Sequence, residues 1–324
     1  MYKDSNVLVA GGTGTIGIPL VRKLINLGSN ITIASLDNQS RVDEIFGQDS
    51  QKIKFMRSDL TKEENCKSAV NGQNFVFNLV GIKGSTGIGE TKVASYLIPM
   101  LRFQTNLMEA SYNAGVERFL FTGSVCEYPQ SNLHVEDNVW NGLPKQNDRI
   151  PGIAKRVGEI LGEAFELEYG WDAVRVVRPS NVYGPYDDFN PLTAQVIPSL
   201  INKISNATEE VRVWGDGSAI RDFIFSEDVA HWMIRALEIA PSNFPLNLGS
   251  GKGISIKEIV EKIVAIANPN CEISWDPNGP VGDPVRIMSM KRSESILDFQ
   301  QITSIDSGLR QTVEWYQDNF LKTK

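Results

Sequence analysis

Short apolar runs alternate with longer stretches in which apolar residues return every three or four positions, and this rhythm governs roughly the first 180 residues. Val7–Ala10, Ile31–Ala34, Ile53–Met56, Phe75–Gly81, Arg118–Thr122 and Val174–Arg178 are β-branched or aromatic runs bounded by polar residues and predict strands. The stretches between them predict helices. Thr15–Leu27 lines up Ile16, Leu20, Leu24 and Leu27, with Pro19 near its first turn, where a missing N–H does little harm. A short helix carries Cys66, Ala69 and Val70. A long one, Ala94–Asn113, carries Leu97, Leu101, Leu107, Met108 and Ala110, and Gly152–Tyr169 carries Ile153, Val157, Leu161 and Phe165. Strand and helix in strict alternation predict an α/β chain with a doubly wound parallel sheet.

Beyond Pro179 the beat loosens. Asn181–Pro191 is rich in turn formers and predicts a loop, followed by a helix at Ala194–Ile204 and a strand at Val211–Trp214. Ser226–Leu237 predicts a helix with Ser226 as its cap; Pro245–Gly251 and Ser255–Ala267 add one more strand and helix. The tail ends in an amphipathic helix near Gly308–Phe320. Residues 1–180 therefore form one unit, and 181–324 mainly a smaller lobe whose segments near 220–250 return to the sheet.

Composition narrows the class. With 324 residues and a net charge of -7, the chain can bury a substantial core and carries no basic footprint for nucleic acid. Cys66, Cys126 and Cys271 lack any C-x-x-C spacing, so neither a metal centre nor a disulfide framework is expected. No signal-like segment leads the chain and no apolar run approaches the ~18 residues that span a membrane, so a cytoplasmic protein is expected.

The chemistry starts at Val7-Leu-Val-Ala-Gly-Gly-Thr-Gly-Thr-Ile-Gly17. Gly11, Gly14 and Gly17 follow a strand and open an amphipathic helix, the setting in which a dinucleotide pyrophosphate meets a helix N-terminus. Gly11 permits the tight exit, Gly14 leaves the backbone bare for the phosphates, and Gly17 lets the helix pack on the strand; Thr13, Thr15 and Ile16 fill the turn. The architecture is accordingly of Rossmann type. After the second strand, Asp37 suits the ribose hydroxyls of NAD, whereas Arg41 with a serine suits the 2′-phosphate of NADP; the offset of Asp37 favours NAD. Asp59 and Leu60, past the third strand, are placed near the adenine. The polar loop that follows Gly81, as far as Glu90, reads as a lid. Ser124 stands just past the fifth strand, at the edge where open α/β sheets bind ligands.

Taken together these blocks resemble the extended short-chain dehydrogenases, the NAD-dependent sugar-nucleotide epimerases and dehydratases, over nearly the whole chain. The matching blocks are Gly11–Gly17, Ser124-x-x-x-Tyr128-Pro129, Asn181-Val-Tyr-Gly-Pro185, Trp214-Gly-Asp-Gly217 and Arg221-Asp-Phe223. Within that family, Gly123–Pro129 and Val196-Ile-Pro-Ser-Leu200 are similar to blocks of the GDP-fucose synthases. The resemblance implies hydride transfer at C4 of a nucleotide-linked sugar, and possible chemistry at C3 or C5, with NAD or NADP as carrier and a GDP-linked hexose or heptose favoured. It implies that Ser124 bonds the reacting sugar oxygen, that Lys155 grips the nicotinamide ribose, and that Cys126 is an acid–base group. It assigns Pro179, Asn181 and Val182 to the cofactor, and Asn181, Val196, Trp214 and Arg221 to the substrate. It also implies a homodimer through the two long helices.

Two positions depart from that family. Pro151 stands where the Tyr-x-x-x-Lys pattern ending at Lys155 requires tyrosine, and no tyrosine lies between Pro129 and Lys155. Gln195 stands where the GDP-fucose synthases carry a histidine. Ser124 through water, Cys126, Glu127, Lys155, Tyr183 and Tyr186 are the candidates to carry the proton instead. The competing reading is a protein that binds a nucleotide sugar and NAD(P) without catalysis.

Overall fold

The computed structural model describes residues 1–82, 93–279 and 282–322. The first part runs β1 (Asn6–Ala10), α1 (Gly17–Asn26), β2 (Asn30–Ser35), α2 (Gln39–Phe46), β3 (Ile53–Arg57), α3 (Glu63–Val70), β4 (Phe75–Asn78), α4 (Val93–Asn113), β5 (Arg118–Thr122), β6 (Leu133–His134), α5 (Arg149–Tyr169) and β7 (Val174–Pro179). There follow β8 (Asn181–Tyr183), α6 (Val196–Ser205), β9 (Glu210–Trp214), β10 (Ile220–Arg221), β11 (Phe223–Phe225), α7 (Ser226–Ile239), β12 (Leu246–Leu248), β13 (Ile254–Ser255), α8 (Ile256–Ala267), β14 (Glu272–Asp276), β15 (Val285–Met288), α9 (Lys291–Leu297) and α10 (Ile305–Tyr316).

Seven strands form one parallel sheet in the order β12-β7-β5-β4-β1-β2-β3. Residues alternate between its faces: Val7 and Val9 enter one core, Leu8 and Ala10 the other. Both faces are covered by helices, which is why the strands read as continuous apolar runs. Each fully buried Val or Leu contributes about 1.5–3 kcal/mol. The chain leaves β1 toward β2 and β3 on one side and returns to β4 on the other, so a crevice opens above the C-terminal ends of β1 and β4.

The later segments build smaller sheets around a third core containing Ile197, Ile201, Val211, Ile259 and Leu309. β8 pairs with β11, β9 with β14, and β13, β10, β15 and β6 form a four-stranded sheet.

Several boundaries differ from expectation. Helix α1 begins at Gly17, because Thr13–Ile16 are spent in the turn. Helix α2 was hidden in a polar segment; Asn38 caps it by accepting from the Arg41 N–H at 3.0 Å. Asn181–Tyr183 is a strand rather than loop, drawn out by pairing with Phe223–Phe225. Ser226 does not cap α7: it is buried as the first helical residue, and Phe225 precedes it. Ser255 does cap α8, with Glu258 completing a reciprocal box. The lid expected up to Glu90 falls largely outside the described residues. Among those residues, no helix is long and apolar enough to cross a membrane.

Candidate functional site

The turn from β1 to α1 is built by close approach. Gly11 has φ +83°, and a Cβ on Gly17 would stand 2.4 Å from the Gly11 carbonyl oxygen, so both must be glycine for the fold itself. Gly14 is different. A Cβ there would meet only the Gly11 oxygen, at 3.5 Å, so the protein's own packing does not demand glycine. What the bare backbone leaves is space over the first turn of α1, where N–H groups and the helix dipole favour an anion.

Thr13 ties this turn to the end of β2: its hydroxyl donates to the Asp37 carboxylate at 2.5 Å, and the Ser35 hydroxyl donates to the same oxygen at 3.1 Å. Beside them lies an open cleft of about 480 Å³ lined by Asp37, Asn38, Ser40, Arg41 and Arg57, among others. Arg41 pairs with Glu44 at 2.9 Å. Thr15 is buried and donates to Asp187 at 3.1 Å, while Ile16 packs on the core. Asp59 accepts from the Thr61 N–H and hydroxyl, and these bonds hold its carboxyl below the usual range. Leu60 turns its side chain into the core. A glycine cradle at a helix N-terminus, with an oriented carboxylate one strand away, fits a dinucleotide.

At the end of β5, Ser124 caps a single tight turn, Val125–Glu127. Its Oγ accepts the Cys126 N–H at 3.2 Å, and its own N–H donates to the Glu127 carboxyl at 2.6 Å. One lone pair of the hydroxyl is thereby used, leaving its proton to be donated outward. Helix α5 lies against this turn. A Cβ on Gly152 would stand 2.3 Å from the Cys126 carbonyl oxygen, so only glycine admits the approach. Arg156 fastens the two elements: its Nε and Nη2 donate to the Glu127 carbonyl at 2.9 and 2.5 Å.

Lys155 is thus delivered to the end of β5, its Nζ donating to the Thr122 carbonyl at 2.7 Å. Burial pushes the ammonium down to about 8. Pro151 sits one helical turn earlier, inside the first turn of α5. Burial, and then the charge of Asp148, push the Cys126 thiol up to about 11. Asp148 pairs with Arg286 at 2.8 Å, and Arg286 also donates to the Val125 carbonyl at 2.8 Å. Tyr96, from the first turn of α4, donates to the Ile82 carbonyl just past β4; burial pushes its hydroxyl up to about 12.

The later half supplies the facing wall. Pro179 ends β7, Asn181 donates its side-chain N–H to the Asp222 carbonyl at 2.7 Å, and Val182 packs on the main core. Arg221 is half-buried and donates Nη1 to the carbonyls of Ile220 and Asp283 at 2.8 and 2.6 Å. Its neighbour Asp222 is a bracket: buried, it accepts from the N–H groups of Ser250, Gly251 and Met288. Trp214 is 59% exposed with the Lys203 ammonium 5.3 Å from its ring centre, and Val196 opens α6 half-exposed. Gln195 precedes it as the N-cap residue.

The model of the NAD dependent epimerase/dehydratase family matches residues 7–249, a span that takes in the glycine turn, Ser124, Lys155 and Arg221. The chain belongs to that family. Across 98% of its length it is 28% identical to GDP-L-fucose synthase 1 of Arabidopsis thaliana, covering 94% of that protein. It is likewise 28% identical to dTDP-4-dehydro-6-deoxy-D-allose reductase of Streptomyces bikiniensis, covering 98% of this chain and 97% of that one. Among solved structures, UDP-glucose 4-epimerase of Thermotoga maritima with UDP-glucose superposes with a TM-score of 0.83 at 26% identity, covering 97% of this chain and 99% of that one.

Within this family frame, three suggested proton carriers are displaced. Glu127 is 0% exposed and points under the turn, not out of it. Tyr183 is buried in the third core against Phe223 and Phe225. Tyr186 accepts from Arg22 and lies on Trp315. Sequence reading also missed Arg156, Arg178, Glu159, Asp148 and Arg286. A signal existed for one pair: Arg178 interrupts an apolar strand, and a buried arginine needs a carboxylate.

Proposed function

We propose that the protein is an NAD(P)-dependent oxidoreductase or epimerase acting at C4, with C3 or C5 open, of a nucleotide-linked sugar, GDP-hexose or GDP-heptose favoured. The observation that carries this reading is the joining of Ser124 and Lys155 at the ligand edge of β5, with the Lys155 ammonium bonded two residues before Ser124. Residues 1–180 are taken as the cofactor unit and 181–324 mainly as the substrate lobe. NAD is favoured over NADP, because Asp37 is already oriented by Thr13 whereas Arg41 is engaged by Glu44. The nicotinamide, when bound, supplies or accepts the hydride.

The chain's own residues handle the rest. Ser124 donates to the sugar oxygen at the reacting carbon. Lys155 holds the proton that this oxygen gains or loses, since Pro151 has none to offer. Cys126, protonated at neutral pH, is the acid for any epimerisation step. Arg221, held by two carbonyls, turns remaining N–H groups to the diphosphate, and Trp214 offers a face to the base. Asn181 and Val196 border the sugar. Three free cysteines suit a reducing compartment, which supports the cytoplasm. The exposed Ile98, Val157 and Ile160 on α4 and α5 support a homodimer.

Pro151 favours a second reading, a protein that binds both ligands and catalyses nothing; loss of a positioned acid–base group costs about 10²–10⁴ in rate. The test is incubation with NAD⁺ or NADP⁺ and a panel of GDP- and UDP-sugars, following the absorbance of the reduced nicotinamide. Turnover abolished by Lys155→Met and Ser124→Ala supports the enzyme. Tight binding of sugar and dinucleotide without turnover establishes the binder.

A further inference from the structure

Beneath the Ser124 turn lies a cluster of charged groups sealed from solvent: Glu127, Glu159 and Arg178 are 0%, 3% and 1% exposed. Arg178 is committed elsewhere than Glu127. Its Nε and Nη2 donate to the two Glu159 oxygens at 2.8 and 2.6 Å, and its Nη1 donates to the Tyr128 hydroxyl and the Glu136 carbonyl, both at 3.0 Å. Arg178 Nε also stands 3.4 Å from Glu127 Oε2, but its one hydrogen is given to Glu159. The two buried cations of α5 are spent on carbonyls, Lys155 on Thr122 and Arg156 on Glu127 and Gly142, while Arg149 is exposed. The Glu136 carboxyl accepts the Asn247 N–H at 3.1 Å. Among the described residues, Glu127 Oε2 has no hydrogen-bond donor.

An ionised Glu127 would therefore be a buried carboxylate with one N–H to satisfy it, pressed against a second carboxylate. Such a site keeps a proton instead. We propose that Glu127 is a positioning residue held as an un-ionised carboxylic acid: its Oε1 fixes the Ser124 backbone, and its neutrality leaves the Lys155 ammonium without a counter-anion. The proton on Oε2 is shared toward Glu159, whose charge Arg178 neutralises. Lys155 then releases or regains its proton near neutral pH, the property required where no tyrosine stands. Burial and the neighbouring Glu159 both raise the Glu127 carboxyl well above its ordinary range, in the same sense. This inference rests on the oxidoreductase reading for its meaning, although its first tests do not use turnover.

Infrared spectra of the cofactor-free protein at pH 7 are compared for wild type, Glu127→Gln and Glu159→Gln. The expected result is a carboxylic-acid carbonyl band in the wild type that Glu127→Gln abolishes. Glu136, Asp222 and Glu163 are also raised by burial, so the difference between variants makes the assignment. Glu159→Gln frees Arg178 to bond Glu127, which ionises; the band is lost and the Lys155 titration, followed by NMR of ¹³C-labelled lysine, moves up by a unit or more. Glu127→Gln leaves that titration within a few tenths. A wild-type spectrum without the band, a difference spectrum between Glu127→Gln and wild type that shows no loss of carboxylic-acid absorbance, or a Lys155 titration that falls by a unit in Glu127→Gln would each overturn the proposal. With a sugar from the panel that turns over, Glu127→Leu lowers kcat tenfold or more with KM within threefold, and Glu127→Gln restores most of it; equal kcat in Glu127→Leu and wild type overturns the positioning role. The expected spectra without turnover by the wild type would instead sink the oxidoreductase reading and leave the neutral acid standing.

Discussion

Arg178 and Glu159 meet through two parallel hydrogen bonds of 2.8 and 2.6 Å, and this pair joins strand β7 to the helix that carries Lys155. Glu159 lies one turn beyond Lys155 on α5, so the fork fixes the rotation of that helix over β5. Removing one partner leaves a buried charge unpaired. Arg178→Leu is expected to cost about 3–5 kcal/mol, read as a lower urea midpoint, and the Arg178→Leu/Glu159→Leu double variant to recover part of it. Equal losses that simply add would show that the pair is not coupled.

The two glycines of the cofactor turn separate folding from binding. Gly17→Ala places a Cβ against the Gly11 carbonyl and is expected to cost about 1–3 kcal/mol as well as dinucleotide affinity. Gly14→Ala makes only an ordinary contact with the Gly11 oxygen and is expected to keep its melting temperature while weakening NAD binding by at least about tenfold, roughly 1.4 kcal/mol. Calorimetry of both variants decides this; normal NAD affinity in Gly14→Ala would remove the phosphates from that turn.

Turnover in opposite directions should depend oppositely on pH. Lys155 is pushed down to about 8 by burial, so its ammonium is present below that value and its free amine above it. Sugar reduction, which needs a proton given, is expected to fall as pH rises through about 8. Sugar oxidation, which needs a proton taken, is expected to rise over the same range. Profiles that move together in both directions would assign the proton to another group.

His134 supplies a pH signature of stability. Its ring stacks on Tyr128 at 4.7 Å, and burial pushes its imidazole down to about 4 from an ordinary 6.5. A group depressed in the folded state stabilises the protein above its unfolded value and loses that stabilisation as pH falls toward the folded one. Between pH 6.5 and 4 the protein is expected to lose up to about 3 kcal/mol through this residue, and His134→Phe to flatten that slope. Denaturant melts at pH 7, 5.5 and 4.5 provide the check.

The exposed apolar residues Ile98 on α4 and Val157 and Ile160 on α5 predict a self-association surface. Ile98→Asp with Ile160→Asp is expected to shift a dimer to monomer in sedimentation at micromolar concentration without lowering the melting temperature of the isolated chain. A wild-type monomer under those conditions refutes the interface.

Local pattern alone determined the parallel sheet, the glycine turn and the placing of Ser124 at a strand end. The reason is physical: a buried parallel strand must be apolar throughout, and a phosphate-binding turn must be bare, so both leave local marks. The polar helix α2 and the short strand β8 left none, because a single cap at Asn38 and pairing with Phe223–Phe225 created them. Only the tertiary structure decided where Glu127, Tyr183 and Tyr186 lie, since burial and partners are not written in a residue's neighbours along the chain. The same holds for Lys155. Its identity was plain from the sequence, but the lowered proton affinity comes from burial, which only the packing of α5 against the end of β5 brings about.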